Sequence, residues 1–135
     1  MDQRRALAIV LRCIGCLDAL ALIAVAMPRQ WMNVTATSLG LDPLPPDAIV
    51  GYLARSASVM YALHGLTVFY VSFDVVRYWR LISFLAILAV FHGVVMLGID
   101  VAEGMPCWWQ CVEGPCFAAT GAVVLWLQRR RRQRD

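Results

Sequence analysis

Four stretches of about twenty residues in this chain run almost without charge, and each is bounded by arginines, prolines or acidic residues. They lie at about 6–27, 48–73, 81–99 and 107–127. At a rise of about 1.5 Å per residue, each is long enough as a helix to cross the hydrocarbon of a bilayer. A chain of 135 residues has room for one domain, and 61% of its residues are hydrophobic. A soluble domain of that size exposes too large a share of its surface to hide so much apolar area. The expected fold is therefore an all-α integral membrane protein, a four-helix transmembrane bundle spanning residues 1–135 as a single domain.

The segments between these stretches carry stop signals and an uneven charge. Residues 28–47 hold Pro28, Gly40, Pro43, Pro45 and Pro46 and read as an outer loop, with Asp47 as the N-cap of the second helix. A short link with Arg77 and Arg80 joins helices two and three. Gly104 and Pro106 mark the turn into the fourth, which Pro115 should kink. Ala24-Val25-Ala26 resembles a signal-peptide cleavage site, but the apolar run is longer than a signal h-region of about 7–15 residues and contains Asp18. The first segment is therefore expected to remain as a helix.

All twelve basic residues are arginines. They cluster at the N-terminus (Arg4, Arg5, Arg12), in the middle link and in a tail (residues 128–135) carrying Arg129, Arg130, Arg131, Arg132 and Arg134. The opposite loops carry Arg29 and the acids Asp42, Asp47, Asp100 and Glu103. By the positive-inside rule both termini are cytoplasmic, with the tail as a headgroup anchor on a bacterial inner membrane. The net charge of +3 does not imply a nucleic-acid partner, because neither aromatic interleaving nor a binding fold accompanies the arginines.

Ionisable side chains at membrane depth are costly, roughly 2.5–3.5 kcal/mol each on insertion scales, so each needs a reason. Asp18, His64 and His92 all fall about 14–17 Å from the cytoplasmic face, one on each of three helices. Tyr61 shares a helix face with His64, and Gly65 and Gly93 follow the two histidines. These four polar residues form a candidate midplane core, either a register-fixing network or a ligand site. No cofactor is expected. The alternative is haem or metal ligation by His64 and His92 with Asp18 as orienter, although no short His-x-x-x-His spacing supports a metal.

A second polar group (Arg55, Asp100, Glu103, Glu113) sits toward the outer face, as an Arg55–Glu113 pair or as the lining of a pocket. Cys13-Ile14-Gly15-Cys16 forms a Cys-x-x-Cys in the cytoplasmic half of helix one, where packing is the expected role. Cys107, Cys111 and Cys116 lie toward the outer face, and Cys107–Cys111 can be bridged only if the helix starts irregularly. Asn33-Val34-Thr35 is a formal glycosylation sequon.

The stretches Tyr52-Leu53-Ala54-Arg55-Ser56-Ala57-Ser58, Ser72-Phe73-Asp74, Gly98-Ile99-Asp100 and Gly104-Met105-Pro106 resemble those of a group of small bacterial membrane proteins of this length, a group without an assigned activity. In length and topology the chain also resembles the DoxX-like class of four-helix membrane proteins. It shares four helices and a Cys-x-x-Cys with thiol–quinone oxidoreductases of the vitamin K epoxide reductase type, but its dithiol falls on the opposite side of the membrane. The resulting expectation is a non-enzymatic inner-membrane scaffold or accessory protein with a polar core for a small hydrophobic ligand. The lipid bilayer is its first partner, with other membrane subunits or a second copy of itself beside it. A redox or cofactor protein and a small proton-coupled transporter are the rivals.

Overall fold

A computed structural model describes the backbone from residue 3 to residue 132 and the side chains as far as Arg129. The described residues form helices and turns without strands: α1 (Gln3–Ala19), α2 (Leu22–Ala26), α3 (Arg29–Ser38), α4 (Ala48–Val71), α5 (Trp79–Ala102) and α6 (Cys107–Arg132), with a 3₁₀ turn at Ser72–Asp74. Four segments are long and apolar enough to cross a membrane: Gln3–Ala26, Ala48–Asp74, Trp79–Ala102 and Cys107–Arg129. No more than 28% of any of these spans is buried. The exposed side chains are large and apolar, such as Leu17, Met60, Leu63, Phe84, Phe91 and Trp126. Many buried positions are small or polar instead, among them Ala62, Gly65, Ser72, Ala86, Gly93 and Asp100. That distribution suits a hydrocarbon solvent, in which close packing of small residues holds helices together and large apolar side chains face lipid.

Several boundaries differ from the sequence expectation. The first span is not one helix: it breaks at Leu20–Ala21, between α1 and α2. There the hydrogen bonds tighten to three residues back, with Ala21 N bonding Asp18 O and Ile23 N bonding Leu20 O. Residues 28–47 are not simply a breaker-rich loop, because α3 fills their first half. Helix five is longer than 81–99 at both ends. Helix six continues into the expected tail as far as Arg132, so Arg129 is helical and Gln128 is a packing residue. Arg134 lies outside the described residues, as do the side chains of Arg130, Arg131 and Arg132. Pro115 stands inside α6, which is helical on both sides of it.

The chain divides into two compact units, residues 13–70 and residues 1–12 with 71–135. In the second of these, α5 and α6 pack antiparallel along a seam of small residues. A Cβ added to Gly93 would lie 2.4 Å from Gly114 O, and one added to Gly121 would lie 2.5 Å from Ala86 O. At the end of the seam nearest the C-terminus, Gln128 Nε2 donates to Trp79 O at 3.0 Å, and Ser83 Oγ donates to Gln128 Oε1 at 2.8 Å. At the other end α5 stops at a glycine C-cap: Gly104, at φ 67°, lets Gly104 N reach Val101 O and Met105 N reach Asp100 O.

In the unit of residues 13–70, α3 closes back on the segment before α4. Arg29 donates to Pro45 O and to Asp47 O, and Leu44 N donates to Asn33 Oδ1 at 3.2 Å. Asn33, the sequon asparagine, thus has a structural task in holding a proline-rich loop that lacks backbone donors of its own.

Candidate functional site

The site in this unit begins with a steric requirement. α1 and α4 approach each other at Gly15 and Gly65, where neither helix has a side chain to hold them apart. A Cβ on Gly65 would lie 2.7 Å from Gly15 O, from Ala19 N and from Asp18 Cβ; one on Gly15 would lie 2.7 Å from Gly65 O and Phe69 N. Backbones this close bring the neighbouring polar residues, Asp18 on α1 and His64 on α4, within hydrogen-bond reach.

His64 Nδ1 donates to Asp18 Oδ2 at 2.9 Å. The aspartate side chain is 15% exposed and the histidine 35% exposed. Each group therefore gives the other a partner in a partly buried position. Nδ1 carries the proton toward the carboxylate, so in the neutral imidazole Nε2 is a bare acceptor. Among the described residues Nε2 has no partner. The break at Leu20–Ala21 begins two residues after Asp18, so the pair sits where the first span is least regular. Tyr61 lies one turn before His64 on α4 and is half-buried.

His92 belongs to the other unit. It stands on α5 immediately before Gly93, with its ring edge-on to Phe117 of α6 at 4.8 Å between centroids. Histidine and phenylalanine there form part of the α5–α6 packing.

Of the second polar group, Arg55 and Glu113 find partners within their own units. Arg55 donates through Nε to Val25 O and through Nη2 to Met27 O, both at 3.1 Å. The chain turns extended at Met27 and Pro28, which ends α2 and leaves these carbonyls without intrahelical donors. Sequence reasoning did not assign this role to Arg55, although an arginine opposite a proline-terminated apolar helix was the signal for it. Glu113 accepts from the Trp109 indole N–H one turn earlier on α6. Glu103 is the exposed C-cap of α5. Asp100 is 3% exposed, and its Oδ2 has no hydrogen-bond partner.

All five cysteines are unbridged and exposed. Cys107 and Cys111 stand one turn apart on a helix that is regular from its first residue, so the irregular start that a bridge would need is absent. No group of three or more His, Cys, Asp or Glu converges to hold a metal among the described residues.

The helices and their outward apolar faces define the class, a multi-pass α-helical protein of membrane-spanning type. No protein-family model, curated protein or solved structure matches the chain, so nothing narrower than that class comes from likeness.

Proposed function

We propose that this chain is a small, non-enzymatic protein of the bacterial inner membrane, a scaffold or accessory subunit whose polar core holds a small hydrophobic ligand. Asp18 and His64 are the core of that site. The observation that carries the reading is the orientation of His64: Asp18 fixes Nδ1, and Nε2 is left as an unsatisfied acceptor on a partly exposed ring. An acceptor in an apolar setting gains most from a ligand that brings one hydroxyl or N–H donor on an otherwise apolar body. The arginines at the N-terminus, in the middle link and in the tail favour cytoplasmic termini and attraction to anionic headgroups. The DoxX-like resemblance belongs to the same proposal.

The test is native mass spectrometry of the protein purified in lipid nanodiscs. The wild type should retain a lipid-soluble species that His64→Gln releases while the protein remains folded. Identical bound species in both proteins would overturn the reading.

One observation favours a second reading. Metal-bound histidines commonly donate their other N–H to a carboxylate, as His64 does to Asp18. A Soret band that is lost in His64→Gln would move the protein into the redox class, and a colourless, folded protein would remove haem.

A further inference from the structure

The first turn of α6 carries a feature that the proposed function does not use. The turn into it is ordered: Met105 N bonds Asp100 O, Trp109 N bonds Pro106 O at 2.8 Å, and Gln110 Nε2 donates to Met105 O at 2.7 Å. Cys107 is the first residue of the helix and Cys111 lies one turn on, both exposed and both free. Four residues apart on a regular helix, the two thiols stand on the same face. Residues four apart on a regular helix hold their Cβ atoms about 5–6 Å apart, whereas a disulfide needs about 3.5–4.5 Å. The helix therefore sets both thiols on one face while opposing their oxidation to a bridge.

Two thiols on one helix face become a soft donor set when a metal displaces their protons. Zinc takes four ligands in a structural site, and no third His, Cys, Asp or Glu joins the pair among the described residues. What remains is a soft monovalent ion, which is content with two sulfurs in line.

We propose that Cys107 and Cys111 form a two-coordinate site for a soft monovalent metal ion of the copper(I) class, at the end of α6 opposite the arginine tail. Binding displaces the two thiol protons to solvent as two sulfur–metal bonds form, and no electron is transferred. The site is independent of Asp18 and His64.

The test is a titration of the reduced, detergent-solubilised protein with copper(I) against a chromogenic chelator, repeated with silver(I), which is redox-silent here. The wild type should hold one ion per chain. Cys107→Ser and Cys111→Ser should each lose that ion, and the triple variant Cys13→Ser/Cys16→Ser/Cys116→Ser should keep it. Helical circular dichroism shows whether each variant is folded. Three results would overturn the proposal: no stoichiometric uptake by folded wild type, uptake that survives in Cys107→Ser, or loss in the triple variant. Thiol counting before reduction adds a fourth, because a native Cys107–Cys111 disulfide is incompatible with the site.

Discussion

His64 of α4 donates to Asp18 of α1 at 2.9 Å, one residue before Gly65 on α4 and three residues after Gly15 on α1. The hydrogen bond and the close backbone approach depend on each other. Without the glycines the helices stand apart, and without the pair the approach would bury an uncompensated ionisable group.

The first prediction concerns that pair. Asp18→Ala leaves the His64 Nδ1–H without its acceptor, which should cost about 1–3 kcal/mol. His64→Ala should cost a comparable amount, and the double variant clearly less than the sum of the two, as for any pair of groups in contact. Unfolding in mixed micelles, analysed as a double-mutant cycle, measures the coupling. Additive costs would mean that the two side chains do not act together.

Gly65 and Gly98 should respond in opposite directions. Gly65→Leu drives a side chain into the α1 backbone and should destabilise by about 1–3 kcal/mol or more. A Cβ on Gly98 meets nothing within 4 Å, so Gly98→Ala should be neutral or stabilise the helix by roughly 0.5–1 kcal/mol. Melting temperatures of both variants in one detergent decide the matter.

Arg55→Met removes the donors that satisfy Val25 O and Met27 O while keeping the apolar stem. Faster amide hydrogen exchange is expected in and around α2, with little change in α6. Unchanged exchange near α2 would show that the guanidinium does not secure that helix end.

Gln128→Leu tests the end of the α5–α6 seam. It removes the Gln128 bonds to Ser83 and to the Trp79 carbonyl, leaving those two only the bond between Ser83 Oγ and Trp79 O, and should lower stability by about 1 kcal/mol. Gln128→Glu should retain the contact to Ser83 Oγ but lose the bond to Trp79 O, and so fall between the two. Chemical denaturation with a tryptophan-fluorescence readout follows this region through Trp79 and Trp126.

Orientation is tested separately, by fusing a reporter to the C-terminus. Activity on the cytoplasmic side is expected from the positive-inside distribution of arginine. Activity on the opposite side would reverse the assignment of inner and outer loops.

The four spans, their order and their helical character were legible in the chain, because run length and the absence of charge are local properties that a bilayer reads directly. Which polar residue meets which partner was not. Asp18 faces His64 because Gly15 and Gly65 remove the side chains between two backbones, a three-dimensional condition that neither helix carries alone. Arg55 turns to the carbonyls of Val25 and Met27 because α2 ends there and leaves them without helical donors, and the guanidinium can reach them only once α2 and α4 lie side by side. The break at Leu20–Ala21 and the folding of α3 onto residues 44–47 also belong to the tertiary structure. Leu20 and Ala21 are good helix formers, and only the packing around them can select the tighter turn. The sequence by itself determined the four apolar spans and their helical character; the tertiary structure decided the pairing, because hydrogen bonds depend on distances of a few ångströms that no one-dimensional pattern encodes.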